Sequence, residues 1–415
     1  MTPPLYIALR FLRHRKRAFF LSLLGVVFGV SIFICTQAQT QGFAHKFIDS
    51  TLGSNGALVL RSRFQPLGSG MLVPPKGAAA TSAAATHRRY VDGITNVREI
   101  MHVSRDFSNV AACSPVLRGT LSARSGFENA TVDLFGIDAA LHLQTTDLKS
   151  EIIEGSFDDF RDNATGVIVG AKLATILNVG AGDSLQLLAP TGEYWRFTVS
   201  AIARSGVGAV DSARIYAHAK IAQTLLRKPY AATMIIYKLR DPDRAPALAK
   251  QFQMLFQHDT QSWQEREAGN LQLFLTLRMS AAITVSLIIL LAGFGIYNVL
   301  TMSVLSKVKE IAILRSMGYR KKDISAIFLW QGGAIAVAGS VVGCAAGALL
   351  TWGVSQIPIR VRGLMHADHF LVEWNWQHYA WAIVLALVAV FAASYVPARR
   401  AASLPPVATL RGSSA

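Results

Sequence analysis

The sequence predicts an α-helical membrane protein: a transmembrane domain of four helices, with a large α+β domain inserted between helices one and two. Three observations predict it. Hydrophobic residues make up 52% of the 415 and charged residues 16%, too few charges for an ordinary soluble surface and too many for a chain wholly in lipid. Four uncharged runs are each long enough to cross a bilayer, which takes about 20 apolar residues. Between the first two lies a long polar stretch, residues 45–275, enough for one large domain or two small ones.

The elements follow in order. Residues 1–17 are a basic N-terminal segment and 18–44 the first helix. Arg10, Arg13, Arg15, Lys16 and Arg17 before an apolar run resemble a signal peptide. The run to Ala44 exceeds a signal core, however, and no small-x-small site closes it, so the helix is expected to stay uncleaved. The second helix covers 276–306, preceded by a proline-free stretch from Trp263. Helical from Trp263 to Ser306, it would be roughly 65 Å long at 1.5 Å per residue, more than the hydrocarbon thickness of about 30 Å. The excess would form a stalk, unless the helix breaks near Gly269. A short segment, 307–323, leads to helix three (324–357), an outer loop (358–377), helix four (378–397) and a tail (398–415). Trp374, Trp376 and Tyr379 are interfacial aromatics. Gly25, Gly29, Gly293, Gly295, Gly339, Gly343 and Gly347 provide the small residues that let helices approach closely in lipid.

The net charge of +16 has a membrane explanation, and no nucleic-acid partner is inferred. Basic residues gather before helix one, between helices two and three (Lys307, Lys309, Arg315, Arg320, Lys321, Lys322) and after helix four (Arg399, Arg400, Arg411). Four crossings put all three segments on one side, and the positive-inside rule makes that side cytoplasmic. Both termini are then inside, and the 45–275 domain outside.

Within that domain, branched and aromatic residues predict strands at Thr131–Ile137, Gly166–Val169, Ser184–Leu188, Arg196–Ile202 and Ala232–Leu239. Lys172–Leu177 and Ala245–Phe256 read as helices. Pro66–Thr86, rich in Gly, Pro, Ala and Ser, reads as a loop of unassigned role. Cys35 and Cys344 lie in apolar runs and Cys113 stands alone, so neither a disulfide framework nor a metal spacing is present. His366-Ala367-Asp368-His369 reads as a polar loop rather than a metal site. No GxxxxGK[ST] occurs anywhere, so this chain has no Walker A loop to cradle nucleotide phosphates. No nucleophile–base pair stands out, and no catalytic residue is assigned.

The segment Lys307–Asp323 reads KVKEIAILRSMGYRKKD. Val308, Ile311, Ala312 and Arg315 fall on one helical face, Gly318 suits the C′ position, and Asp323 suits an N-cap for helix three. The run Glu310-Ile311-Ala312-Ile313-Leu314-Arg315-Ser316-Met317-Gly318 resembles the coupling element of permeases in the MacB/FtsX superfamily of ABC transporters. So do Ala8-Leu9-Arg10 at the start and Pro397-Ala398-Arg399-Arg400-Ala401-Ala402 at the end, with Leu404, Pro406, Val407, Leu410 and Arg411. Gln41-Gly42-Phe43, Leu52-Gly53, Phe135-Gly136-Ile137-Asp138, Gly166–Pro190, Gly206 with Asp211, Asp241-Pro242 and Trp263 are similar to the lipoprotein-releasing (LolC/LolE-type) branch.

The resemblance implies a permease subunit in the bacterial inner membrane with a periplasmic domain. It implies a homo- or heterodimer with a second permease chain and two copies of an ABC ATPase subunit. ATP and Mg would sit on those subunits, with no cofactor on this chain. Glu310, Ile311, Ala312, Leu314, Arg315, Met317 and Gly318 would couple to the ATPase. Motion passed to the periplasmic domain would extract a lipoprotein or other amphipathic cargo from membrane lipid and hand it to a periplasmic carrier or adaptor. Phe28, Ile32, Phe33, Leu277, Leu287, Leu291 and Phe294 are the candidate cargo cleft, with Gln37, Gln39, Gln41 and Gln272 at its rim. Two alternatives stand beside this one: a MacB-like exporter of drug, peptide, haem or glycolipid, and an FtsX-like transducer that activates a cell-wall hydrolase.

The topology is directly testable. Cysteines at Ser69 and Gly192 should react with an impermeant thiol reagent in intact cells, and a cysteine at Lys321 should not. Labelling at Lys321 from outside would overturn the orientation.

Overall fold

The computed structural model describes residues 16–62, 93, 94, 96–228, 232–358 and 369–403. Arg10, Arg13, Arg15, the loop Pro66–Thr86, His366, Asp368 and the tail from Leu404 to Arg411 lie outside these. The chain divides into a membrane unit and a sheet unit, the second formed mainly by His45–Leu271. Among the described residues four helices are long and apolar enough to cross a membrane: Lys16–Asn55, Ala268–Ser306, Lys321–Ser355 and Trp376–Ser403. They are called helices one to four below.

Hydrocarbon gives apolar side chains no reason to leave it, so these helices associate by close packing. Glycines make the closeness possible. A Cβ built on Gly339 would fall 2.7 Å from Val26 Cγ1, one on Gly343 2.8 Å from Val30 Cβ, and one on Gly347 3.1 Å from Ile34 Cδ1. Helix three thus presses its glycine edge against the Val26, Val30 and Ile34 ridge of helix one. On helix one, Gly25 and Gly29 seat Ala292 and Ile289 of helix two at 3.4 and 3.1 Å from their would-be Cβ atoms. Gly332 of helix three faces Ser394 of helix four so closely that a Cβ would collide with its hydroxyl. Val26, Val30, Ile34, Ile289, Ile296, Ile335, Ala386 and Val390 make the common core.

Helix three runs from Lys321 to Ser355 rather than over 324–357, and the other helices differ more from the sequence expectation. Helix one does not stop at Ala44 but runs to Asn55; beyond Ala44, Phe47 is buried, and Ile48 and Leu52 pack on a core of the sheet unit. Instead of one helix from Trp263, a single turn (Trp263–Arg266) is followed by a break at Glu267 (φ −100°, ψ 15°) before helix two begins at Ala268. Helix two has 39 residues, about 58 Å at 1.5 Å per residue. Helix four continues past Pro397 to Ser403. Proline removes one helical hydrogen bond, but Ala398, Ala401 and Ala402 are buried against Ile311, Ile324 and Phe328, and that packing holds the last turns.

Among the described residues the sheet unit carries one mixed sheet of ten strands: β1 (Leu58–Arg61), β2 (Val110–Ser125), β3 (Glu128–Ile137), β4 (Ile152–Gly155), β5 (Gly166–Gly170), β6 (Ser184–Leu188), β7 (Tyr194–Ala203), β8 (Arg214–His218), β9 (Met234–Leu239) and β10 (Asp259–Ser262). The order is β10-β1-β9-β2-β3-β8-β5-β7-β4, and β6 pairs with both β2 and β7. Strands β2, β3, β8, β5, β7 and β6 therefore form a closed circuit, which leaves no free edge among them. Leu117, Leu134, Val167, Leu185, Phe197, Val199 and Ile215 pack in the core there. The open arm β10-β1-β9 is covered by the helices Val97–Arg105 and Ala245–Phe256, through Ile100, Met101, Leu248 and Phe252.

Helix one ends inside this unit with no basic residue in its last turn, although helix C-termini leave carbonyls unsatisfied and partly negative. Two arginines from elsewhere fill the gap. Arg214 of β8 donates to the Ser54 carbonyl at 3.3 Å and to Asn55 Oδ1 at 2.7 Å, with its guanidinium 4.1 Å from the centroid of Phe135. Arg266 donates to the carbonyls of Gly56 at 2.8 Å and Asn55 at 3.4 Å. Burial, and then neighbouring Arg61, pull Arg266 down to about 10, which leaves it charged at neutral pH. Ser54 also donates to Glu151 at 2.9 Å; burial pushes that carboxyl up, and the Ser54 hydroxyl and Arg214 oppose the shift.

The glycine seam yields a controlled comparison. Gly343→Leu must push helices one and three apart and should cost about 1–3 kcal/mol, read as a lower melting temperature of the detergent-solubilised protein. Gly295→Ala, where a Cβ meets nothing within 4 Å, should leave melting unchanged or slightly raised. Equal melting of the two variants would show that the seam does not hold the bundle.

Candidate functional site: the short helix and the membrane cleft

Between helices two and three stands a short helix, Val308–Ser316. Its end is a glycine cap. Gly318 has φ 97°, donates to the Arg315 carbonyl at 3.2 Å, and is followed by Tyr319, which donates to the Leu314 carbonyl at 3.3 Å. Those two bonds form a Schellman motif, and Leu314 and Tyr319 both pack on the adjacent core, as the motif favours. Asp323 does not serve as the N-cap of helix three. It is the third residue of that helix and accepts from the N–H of Arg320 at 2.9 Å, so it closes the same turn from inside.

The inward face is fixed by helices three and four. Ile311 and Ala312 are 1% and 3% exposed, and Ile311 packs with Val304, Ile324, Phe328 and Ala401. Arg315 is half-buried and its guanidinium reaches the Ala402 carbonyl at 3.5 Å. Of the residues named for coupling, Ile311 and Ala312 thus offer almost no surface on this chain, and Arg315 only part of its side chain. The outward face is Lys309, Glu310, Ile313, Ser316 and Met317. Ile313 is 50% and Met317 72% exposed. Ile313 was missed as a surface residue, although its spacing of three and four from Glu310 and Met317 puts it on their face. Glu310 is held by Lys307 at 2.8 Å, a pair spanning the first turn where an acidic group also favours the helix dipole. Gly318 is exposed beside Met317.

The cleft residues do not form one surface. Phe33 is buried in the bundle core and Ile32 half-buried against it. Helices one and two touch at Gly25, Gly29, Ile289 and Ala292. Phe28, Leu277, Leu287 and Leu291 are exposed, and Phe294 lines a different groove, between helices two and four. At the rim, Gln37, Gln39 and Gln41 are half-buried and Gln272 is exposed. Glu373, just before helix four, donates its N–H to the Ala38 carbonyl at 3.0 Å. This segment passes Gly42 so closely that a Cβ there would lie 2.8 Å from Val372. Among the described residues no cluster of His, Cys, Asp and Glu could hold a metal ion.

Comparison with known proteins agrees with this arrangement. Residues 19–255 match the family model of the MacB-like periplasmic core domain, and residues 282–406 that of the FtsX-like permease C-terminal domain. The lipoprotein-releasing system transmembrane protein LolC of Neisseria meningitidis serogroup B is 23% identical, over 98% of each chain. LolC of Xylella fastidiosa is 25% identical, again over 98% of each. The macrolide export ATP-binding/permease protein MacB of Acinetobacter baylyi is 22% identical over 96% of this chain but only 57% of its own length. With both domain models matched in sequence order and four helices long and apolar enough to span a membrane, this chain belongs to the family of FtsX-like ABC transporter permeases that carry a MacB-like periplasmic core domain.

Proposed function

We propose that this chain is the permease half-unit of an ABC transporter that lifts a lipid-anchored protein, or another amphipathic cargo, out of the outer leaflet of the inner membrane. The observation that carries the reading is end-to-end similarity to two LolC proteins, over 98% of each chain. The MacB relative extends well beyond the matched part. In this reading ATP is bound and hydrolysed by separate ATPase subunits, two per permease dimer. Both termini and the short helix face the cytoplasm, as the basic segments imply.

The ATPase would dock on the outward face of the short helix, with Ile313 and Met317 as apolar contacts and Glu310 as the charged one. Its push would pass into helices three and four, because Ile311 is packed against them. Cargo acyl chains would lie against exposed positions such as Phe28, Leu277, Leu287 and Leu291, in a space completed by the second permease chain. Acyl chains gain little on moving from lipid to an apolar cleft, so selection would rest on polar groups at the rim, including Gln37, Gln41 and Gln272. A periplasmic carrier would then receive the cargo.

Coupling is tested first. Glu310→Lys should lower transport roughly tenfold or more, as truncating or reversing a charge in an interface does, with membrane insertion unchanged. Ile313→Asp should do the same, whereas Lys309→Gln should have a minor effect. Wild-type transport in both Glu310→Lys and Ile313→Asp would remove this helix as the coupling element.

Cargo is tested by capture. Photo-crosslinkers at Phe28 and Leu277 should trap a lipid-anchored protein, identified by mass spectrometry, while one at Ile383 of helix four should not. Trapping of phospholipid alone at all three positions would leave export of another cargo as the better account.

A further inference from the structure

Helices two and four part on one face and leave an apolar groove of about 540 Å³. Its floor is made of small residues: a Cβ on Gly293 would lie 3.5 Å from the Ala393 Cβ, so the two helices are close there. Leu290, Phe294 and Val388 rise as walls on either side. At one end stands Tyr297, its ring stacked on Phe294 with centroids 6.0 Å apart. The Tyr297 hydroxyl accepts a hydrogen bond from Arg400 Nη1 at 3.2 Å. Arg400 in turn lines a second hollow of about 370 Å³ with Arg399, Tyr395 and Ser403. One stripe of helix four, at spacings of three and four residues, thus passes from hydrocarbon-like to cationic. Both arginines are exposed, and among the described residues no carboxylate pairs with either.

We propose that this groove binds an anionic glycerophospholipid from the leaflet that Arg399 and Arg400 face. One acyl chain occupies the groove, and the phosphate lies at the two guanidinium groups. The occupant follows from charge and shape together. An apolar groove by itself exchanges one hydrocarbon contact for another and selects nothing. Two unpaired guanidinium groups at the membrane edge select phosphate, which they can grip by two parallel hydrogen bonds. Tyr297 joins the two halves of the site, since it belongs to the groove wall and fixes the direction of Arg400. The site lies on helices two and four, shares only Phe294 with the residues first named for cargo, and does not depend on what the cargo is.

The test uses the full chain in nanodiscs of phosphatidylcholine and phosphatidylglycerol, with retained lipids counted by native mass spectrometry. Phosphatidylglycerol should be retained in excess over its share of the bilayer. The double variant Arg399→Gln, Arg400→Gln should lower that excess by roughly fivefold for each arginine removed, the factor one juxtamembrane cation contributes with anionic lipid. Ala392→Phe, which fills the groove and keeps both arginines, should also abolish the excess. If Ala392→Phe fails to fold, Val388→Trp blocks the groove from its exposed wall. An excess that survives either the double arginine variant or the blocked groove overturns the proposal. So does a cysteine at Val388 that cross-links to a second copy of the chain, since protein would then fill the groove.

Discussion

The structure depends on one constraint: in hydrocarbon, helices hold together only as well as their surfaces fit. The glycine edge of helix three against Val26, Val30 and Ile34 meets it by bringing two backbones close enough for dispersion contacts along several turns. Helix two then seats Ile289 and Ala292 against Gly25 and Gly29, and helix four fits its Ser394 against Gly332. Each contact uses a missing side chain on one helix and a branched or small one on the other. The apolar faces left over, among them Phe28, Leu287 and Leu291, stay exposed on the membrane unit.

The same logic shapes the short helix between helices two and three. The short helix is too brief to persist alone, since isolated helices under about 12 residues are marginal in water. It is held by Ile311 beneath it and by the glycine cap at Gly318. That anchoring also decides which residues remain available: a helix pinned by one face can offer only the other. In the sheet unit the equivalent anchoring is electrostatic. Arg214 and Arg266 neutralise the end of helix one, and both are desolvated enough that removing either would strand carbonyls rather than expose them to water.

The transmembrane architecture was legible in the sequence because hydropathy and charge act over twenty residues at a time and do not need tertiary context. Strand β6 and the helix Ala245–Phe256 were also legible, with the bounds the structure gives them. The longest strand, β2, was not. Val110–Ser125 carries Pro115, Arg118 and Gly119 and lacks clean alternation; it is a strand because β3, β6 and β9 pair along it. Strands β1 and β10 are four residues each and have no pattern to detect. For the short helix, periodicity revealed which residues share a face but not which face is covered. That depends on helices three and four, and so Ile311 was placed outward and Ile313 overlooked. Helix four was cut at Pro397 for a sound local reason that packing at Ala398, Ala401 and Ala402 overrides.

Strand β1 lies between β9 and β10 in the sheet, pairing Leu58 with Tyr237 on one side and Ser262 on the other. This places a demand on biosynthesis. Chains grow at about 5–20 residues per second, so β1 waits on the order of tens of seconds for both neighbours. During that interval its N–H and C=O groups form an open template of the kind that recruits foreign strands. Helix one must meanwhile already be in the bilayer, its far end lacking the arginine that β10 brings with it. The domain therefore cannot mature progressively from its first strand. It closes when its last strand arrives, and nascent chains stalled between Leu58 and Asp259 are the ones most exposed to quality control.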